Sequence, residues 1–433
     1  MKTKLDRFLN GFPYQLIISA ATILVWTMGW ENYGLPVVLG LMFIEFVLRK
    51  DTMPTIPLFM NALFMVSRTP SFDAIPLYLY MTPVSIILGM TIHAIRFKIN
   101  LFRGAMLPGV LVMIAALALS TMNAGATLSP TYAFYALVGL LYAVVYLFYV
   151  NTIQGDHVKY LVRMMFLLGL VVSLEVLVYY LRVDDVLYAI ENKTITLGWG
   201  ISNYIATYLI LFVPMTFYYA KTAKFPYLWI LVGVFEGIML LFTASRGGII
   251  AFTGTFALCA AYLMFQKKGW RDGLYFLGAF AVLAVVAWIG KEFFLTLYER
   301  LASLLLDDTG RIPIWLEAID KFKAHPLFGN GLFARLDEFG VYRMFHNTVL
   351  HTLATFGLVG LAGLLMQVFV QFKWVLRRRT PEAIFLAIAL LGAHMHGMVD
   401  NIYYMPQFMV VIVLIVAVCE NAYKPLAANA FKG

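Results

Sequence analysis

The sequence predicts an all-α polytopic membrane protein. Of its 433 residues, 62% are hydrophobic and only 13% are charged, whereas roughly 25% charged residues are usual in a soluble domain. Apolar runs as long as a membrane helix requires recur from one end of the chain to the other. The basic residues lie in short loops between these runs, so the net charge of +9 reflects membrane topology and does not indicate nucleic-acid binding.

About fourteen apolar segments are predicted to cross the membrane as helices. In chain order they are residues 13–30, 35–48, 54–67, 77–95, 105–121, 133–150, 161–180, 202–220, 226–243, 248–266, 272–290, 347–372, 382–399 and 404–422. The third segment is short and contains Pro57. If that segment is re-entrant and pairs differently with its neighbours, about twelve spans result.

The distribution of lysine and arginine orients these segments. The basic clusters all fall on one side of the arrangement, which places both termini in the cytoplasm. The chain then divides into an N-terminal transmembrane bundle at 1–290, one large extracytoplasmic loop at 291–346 and C-terminal transmembrane helices at 347–433.

The large loop is the long stretch between spans that mixes charged with aromatic residues. Residues 291–306 have the spacing of an amphipathic helix lying in the membrane interface. Pro313 and Pro326 are predicted to begin and end a further helix. The predicted apolar face of that helix contains Ile312, Trp315, Ile319 and Phe322.

Two arginines on the predicted outer side are candidates for binding an anion. Arg246 follows Ser245 in a short Ser-Arg-Gly-Gly link between spans, and Arg311 lies in the large loop. A guanidinium group matches the geometry of phosphate oxygens, and the neighbouring glycines permit close approach of a ligand. The alternatives are an arginine that extends to the membrane interface and, for Arg311, pairing with nearby acids or lipid headgroups. An arginine on the outer side runs against the charge bias, which favours a function for Arg246.

His346 is the candidate general base, because imidazole titrates near neutral pH. It follows a polar stretch that includes a turn predicted at Gly329 and Gly331, and it precedes Asn347 at the start of the next span. Asp400, at an outer helix end, is a candidate for orienting that base or binding a hydroxyl. The alternatives are a structural histidine in the interface and an ordinary carboxylate at a helix end.

A metal site is not predicted. His394 and His396 are two positions apart and point in different directions on a helix. No cofactor is predicted either. Glu175 and Glu236 lie within predicted spans, where a charge is costly, so we interpret them as protonated or paired inside the bundle, with a proton pathway as the alternative.

The ordered set of motifs resembles the O-antigen ligase and polymerase superfamily of bacterial membrane glycosyltransferases. The resemblance covers about 160 residues of the C-terminal half and rests on several short matches in family order. They are Thr243–Gly248, Arg311-x-x-x-Trp315-x-x-Ala318, Pro326-x-x-Gly329-x-Gly331, His346-Asn347-x-x-Leu350, Gly357, Gly360 and Asp400.

This resemblance implies a helical bundle of the GT-C type and specific roles for the candidate residues. Arg246 and Arg311 are implied to bind the diphosphate of the donor, and His346 to activate the acceptor. Asp400 takes the place of a late functional aspartate in the family. Asn347, Ser245, Gly329 and Gly331 are expected to support these residues.

The predicted function is transfer of a glycan from undecaprenyl diphosphate to lipid A–core or a similar acceptor. The reaction is expected to invert the anomeric carbon, to need no metal, and to occur on the periplasmic face of the bacterial inner membrane, among membrane lipids. The main alternative is a polymerase that joins lipid-linked repeats. A lipid-linked glycan transporter and a non-catalytic envelope scaffold are the alternatives from other classes, but no inverted repeat is visible for the former.

Overall fold

A computed structural model describes residues 4–66, 84–197, 200–265 and 310–423, with isolated helical positions elsewhere. Predicted span 272–290 and the predicted interfacial helix at 291–306 lie outside the described residues, apart from a few such positions. Almost all regular structure in the described part is helical, with one two-stranded hairpin. The predicted all-α class is therefore confirmed.

The helices follow the apolar segments of the sequence closely. In chain order they are α1 (Lys4–Leu9), α2 (Phe12–Met28), α3 (Glu31–Leu48), α4 (Thr55–Ala62), α5 (Gly89–Arg96), α6 (Leu107–Ser120), α7 (Pro130–Gly139), α8 (Leu141–Thr152), α9 (Val158–Leu181), α10 (Val186–Glu191), α11 (Ser202–Thr222), α12 (Pro226–Phe242), α13 (Arg246–Met264), α14 (Arg311–Ala324), α15 (Thr348–Val375), α16 (Pro381–Gly397) and α17 (Pro406–Asn421). The hairpin strands β1 (Thr196–Leu197) and β2 (Gly200–Ile201) are antiparallel and lead directly into α11.

Five helical stretches in the described residues are long and apolar enough to cross a bilayer. They are 31–48, 130–152, 158–181, 246–264 and 348–375. Several other apolar helices are shorter, between 10 and 17 residues. These findings confirm a polytopic membrane protein.

The predicted span at 54–67 is wrong in its length. The helix there, α4, contains only eight residues, which is far short of the roughly 20 residues that cross a bilayer. Every side chain of α4 from Thr55 to Asn61 is buried. The segment is apolar because it packs inside the bundle, and burial in a protein core produces the same composition as contact with lipid.

Two helices form the centre of the bundle. Helix α11 packs against α9, α12, α13 and α16, and α17 packs against α8. Nearly all side chains of α11, and all those of α17 from Phe408 to Asn421, are buried. A helix that is apolar on every side is expected at such a position. The N-terminal end of α11 lies beside the start of α13 and the end of α16, since Ala206 meets Gly248 and Asn203 bonds Asp400.

Helix α14 begins at Arg311 and packs on α15. Its buried stripe differs from the prediction, because Ile312 is 62% exposed whereas Ala318 is fully buried with Ile314 packed beside it. Ala318 shares a small apolar cluster with Phe345 and Ala354. The small alanine permits close approach of the two helices, which fixes Arg311 relative to the start of α15.

The turn after α14 is locked to a kink in α15. Gly357 has φ +63° and interrupts the helical backbone, so nearby peptide groups are free to bond outside the helix. Asn330 N–H donates to the carbonyl of Ala354 at 3.0 Å and Leu358 N–H donates to that of Pro326 at 2.9 Å. At Gly329 (φ +71°), an added Cβ would lie 2.3 Å from the carbonyl carbon of Thr355. The predicted glycine turn therefore serves to join the loop to α15.

Candidate functional site

The candidate site lies where the ends of α11, α13, α14, α15 and α16 meet. Its centre is Asp400, in the short connection between α16 and the 3₁₀ turn Ile402–Tyr404. The Asp400 side chain is only 4% exposed, whereas that of His346 is 42% exposed. The carboxylate therefore lies beneath the imidazole, which faces the open side of the site.

Asp400 is held by several donors. His346 Nδ1 lies 3.2 Å from Asp400 Oδ1, and the backbone N–H of Asn401 donates to the same oxygen at 2.8 Å. Asn203 Nδ2, in the first turn of α11, donates to Oδ2 at 2.7 Å. Burial disfavours the ionised carboxyl, but the hydrogen bond from His346, the charges of His396 and His346 and the N–H of Asn401 together lower the pKa of Asp400. Asp400 is therefore an anion at neutral pH.

The backbone around His346 fixes the imidazole in place. His346 has φ +49°, a conformation that is uncommon for a residue with a side chain. Asn347 caps α15 by accepting from Leu350 N–H at 2.9 Å, and its own amide donates to the carbonyl of Met398 at 2.7 Å. Trp315 Nε1–H donates to the carbonyl of His346 at 3.3 Å. Asn347 and Trp315 thus join the histidine to α16 and α14.

The Ser-Arg-Gly-Gly link forms the N-terminus of α13. Ser245 is the N-cap and accepts from Gly248 N–H at 3.2 Å, so Arg246 is the first residue of the helix. An added Cβ on Gly247 would lie 2.4 Å from Val399 Cγ2 and 3.2 Å from the ring of His396. The glycine allows α13 to approach the end of α16 closely. This close approach brings Arg246 to the level of Asp400.

Arg311 completes the group that the sequence predicted. Burial lowers the pKa of Arg311, Asp400 raises it, and the charge of Arg246 lowers it. Arg246 precedes Gly247, which packs against Val399 and His396, so Arg246 is placed beside the connection that carries Asp400. Arg311 is close enough to both groups for their charges to affect its pKa. The structure therefore brings Arg246, Arg311, His346 and Asp400 together, from residues as far apart in sequence as 246 and 400.

Two further residues of the site were not predicted. Asn203 contacts Asp400 directly, and Lys193, between α10 and β1, interacts electrostatically with both arginines and with Asp400. Both belong to a polar stretch between spans. The sequence marks that stretch as polar and glycine-containing, but no spacing relates either residue to the distant large loop.

The other histidines have separate structural partners. His396 is fully buried and bonds through Nδ1 to Thr207 Oγ1 at 2.7 Å. His394 Nε2 bonds to Gln371 at 2.8 Å, and His351 Nε2 bonds to Tyr342 at 3.2 Å. Across the part of the chain that the structure describes, no group of three or more potential metal ligands occurs.

The two intramembrane acids are fully buried in the bundle. Glu236 accepts a hydrogen bond from Thr216 at 2.7 Å and packs against Gly169. This partner agrees with the interpretation of Glu236 as a residue paired inside the bundle. Neither Glu175 nor Glu236 belongs to the group around Asp400.

A comparison with known families finds a match in the C-terminal half of the chain. Residues 228–365 match the model of a family described as O-antigen ligase. The matched stretch includes Arg246, Arg311 and His346, while Asp400 lies beyond its end. No curated protein matches the chain. The match confirms the predicted resemblance to the O-antigen ligase family over this stretch of the chain.

Proposed function

We propose that this protein is an O-antigen ligase-type glycosyltransferase. It moves a glycan from undecaprenyl diphosphate to a hydroxyl of lipid A–core or a similar acceptor. The observation that carries the proposal is the His346–Asp400 pair, 3.2 Å apart, beside the two arginines at 246 and 311. A base held by a buried carboxylate next to a cationic group matches what this reaction requires.

The arginines bind the diphosphate of the donor. Guanidinium groups present several N–H donors in a fixed plane, and they remain charged at any physiological pH. Negative charge grows on the diphosphate as it leaves the sugar. Arg246 and Arg311, already in place beside the leaving group, stabilise that charge in the transition state, an effect of roughly 10²–10³ in rate for one such donor.

His346 removes the proton of the acceptor. The neutral imidazole that donates from Nδ1 to Asp400 carries its lone pair on Nε2, the atom that accepts a proton. Asp400 selects this tautomer and then stabilises the imidazolium that forms, because its carboxylate stays ionised. General base catalysis of this kind contributes about 10²–10⁴ in rate.

The bond changes follow from this placement. The acceptor oxygen forms a bond to the anomeric carbon while the bond from that carbon to the diphosphate oxygen breaks. The proton passes to Nε2 of His346, and the electron pair leaves with the undecaprenyl diphosphate. Attack from the side opposite the leaving group inverts the anomeric carbon. The arginines supply the positive charge that a divalent cation supplies in other transferases.

The proposed location is the bacterial inner membrane, with the site facing the periplasm. The positive-inside rule supports this orientation, because basic residues concentrate at the opposite ends of the helices. In this arrangement residues 1–290 and 347–433 form the membrane bundle, and residues 291–346 form the extracytoplasmic loop that contributes Arg311 and His346.

Reconstituted transfer tests the proposal. The purified full-length protein in lipid nanodiscs is supplied with an undecaprenyl-diphosphate-linked glycan and a lipid A–core acceptor, with and without EDTA. Transfer of the glycan in both conditions is expected. No transfer, with a donor and acceptor taken from the same bacterial strain, would contradict the proposal.

Deletion of the gene distinguishes the ligase from the polymerase. Loss of a ligase leaves full-length glycan chains on the lipid carrier. Loss of a polymerase leaves single repeats attached to the acceptor. The ligase is favoured by the single dominant extracytoplasmic loop, and accumulation of single repeats on the acceptor would overturn that choice.

A further inference from the structure

The carboxylate of Asp400 is held at both of its oxygens. Oδ1 accepts from the N–H of Asn401 at 2.8 Å and lies 3.2 Å from His346 Nδ1. Oδ2 accepts from Asn203 Nδ2 at 2.7 Å. The torsion that turns the carboxyl group of an aspartate has broad minima, so a single bonded oxygen leaves the plane of the group free to turn. A donor on each oxygen fixes that plane, and with it the direction from Oδ1 to the imidazole.

The donor to Oδ2 joins the carboxylate to a different helix. Asn401 is the next residue in the chain and moves with Asp400, whereas Asn203 lies in the first turn of α11. Its bond of 2.7 Å has the short length that is typical of a hydrogen bond to a charged acceptor. The Asp400 side chain is only 4% exposed, so water has little access to replace a lost donor.

The turn of α11 that carries Asn203 is itself packed firmly. The carbonyl of Asn203 accepts from Thr207 Oγ1 at 2.9 Å, and the same hydroxyl lies 2.7 Å from His396 Nδ1 on α16. A Cβ added to Gly248 would lie 2.6 Å from Ala206 Cβ, so this turn also packs directly on the start of α13. The Asn203 amide is therefore supported by the same helix ends that form the site.

Asparagines elsewhere in the molecule show what a purely structural role looks like. In and beside other helices their amides donate to the carbonyl four residues earlier, as at Asn61, Asn151, Asn192 and Asn421. The Asn203 amide donates instead to a carboxylate 197 positions away in the sequence. Completing the hydrogen bonds of its own helix does not explain this contact.

We infer that Asn203 is a positioning residue, which holds Asp400 in the orientation that His346 requires. The inference rests on the proposed function, in which Asp400 selects the tautomer of His346. Because the amide is uncharged, it fixes the carboxylate without neutralising it. When the amide is lost, the carboxylate can turn, and His346 Nε2 is no longer held towards the acceptor hydroxyl. Asn203 precedes residues 228–365, the stretch that matches the family model.

A double-mutant cycle in glycan transfer tests the inference. Initial rates in nanodiscs are compared for Asn203→Leu, Asp400→Ala and the protein with both changes. Leucine has nearly the size of asparagine but offers no donor. We expect Asn203→Leu to lower kcat roughly 10–10²-fold and to leave the KM for the lipid-linked donor unchanged, because Arg246 and Arg311 still bind the diphosphate. In protein that already carries Asp400→Ala, the same substitution should have no further effect.

Asn192→Ala is the matched control. Asn192 belongs to the same polar stretch between spans, and its amide donates to the carbonyl of Tyr188 at 3.0 Å. This substitution removes an asparagine amide that bonds its own helix and does not contact Asp400. We expect it to leave both kcat and KM unchanged.

Hydrogen exchange gives a second measurement that does not depend on transfer. The N–H of Asn401 donates to Asp400 Oδ1, so its exchange rate reports how firmly the carboxylate is held. We expect faster exchange at Asn401 in Asn203→Leu and no change in Asn192→Ala. Exchange along the buried helix α17 should stay the same in both variants, which distinguishes a local effect from a general loss of stability.

The outcomes are distinguishable. An equal loss of kcat with and without Asp400 would overturn the inference, as would a raised KM with kcat unchanged, since Asn203 would then contact the donor itself. Unchanged exchange at Asn401 in Asn203→Leu would also overturn it. If exchange at Asn401 depends on Asn203 but the unchanged protein transfers no glycan, the positioning contact stands and the proposed function fails.

Discussion

The charged side chains at the two ends of the helical bundle have different surroundings. At the predicted cytoplasmic end, Arg49 bonds Asp6 at 2.6 Å and Glu45 at 3.0 Å, and Arg378 pairs with Asp156. At the opposite end, the carboxylate of Asp400 accepts hydrogen bonds from Asn203 and from the backbone of Asn401, and His346 lies 3.2 Å from it. The acids that pair with Arg49 and Arg378 are partly exposed, whereas the acid of the candidate site is buried beneath a partly exposed imidazole.

The largest expected difference concerns two histidine–aspartate pairs. His346 lies 3.2 Å from Asp400 at the candidate site, and His157 lies 3.6 Å from Asp51 at the other end. We expect His346→Ala to reduce glycan transfer by about 10²–10⁴ and His157→Ala to leave it unchanged. Initial rates in nanodiscs measure both. Full activity of His346→Ala would remove the base from the mechanism.

The second difference concerns two arginines. Arg246→Ala should lower the transfer rate by roughly 10²–10³, because it removes a donor to the leaving diphosphate. Arg49→Ala should leave transfer unchanged. It should lower the free energy of unfolding by about 1 kcal/mol, because it removes two partly exposed ion pairs. Rates and melting temperatures of the two variants are compared. A similar loss of transfer rate in Arg49→Ala and Arg246→Ala would contradict this difference between the two ends of the bundle.

The third prediction concerns two glycines of the same loop with nearly equal backbone angles. Gly329 has φ +71° and Gly340 has φ +73°. Alanine at either position costs about 1–2 kcal/mol for the left-handed conformation. At Gly329 the added Cβ also meets the backbone of Thr355 at 2.3 Å, whereas Gly340 has open space. Gly329→Ala should therefore lower the melting temperature more than Gly340→Ala does, and it should also reduce transfer. Equal effects of the two substitutions would contradict the close packing of Gly329 against α15.

The fold class and four candidate residues could be identified in the sequence because charge is rare in this chain. With 13% charged residues, an arginine or histidine at an apolar helix end is conspicuous. Arg246, Arg311, His346 and Asp400 all stand at such ends, and the structure places them together. The lengths of the helices were less predictable, since α4 has the composition of a span but is buried within the protein.

Lys193 and Asn203 could not be predicted for a physical reason. Their partners, Arg311 and Asp400, are more than a hundred positions away in the sequence, and only the packing of α11 against α13 and α16 makes them neighbours. Similarly, the glycine turn at 329 was assigned to support of the site, while its contact partner is a kink at Gly357 inside a 28-residue helix. No pattern in the neighbouring sequence predicts that kink.

The main-chain hydrogen bonds between the loop and α15 have a consequence for how far the loop sequence can vary. It is made from main-chain atoms, through Asn330 N–H and Leu358 N–H and the carbonyls they meet. Side chains along this outer surface are therefore available to change without disturbing the frame, provided that Gly329 and Gly357 are kept. Such a construction allows the surface of the loop to vary while the positions of Arg311 and His346 stay fixed.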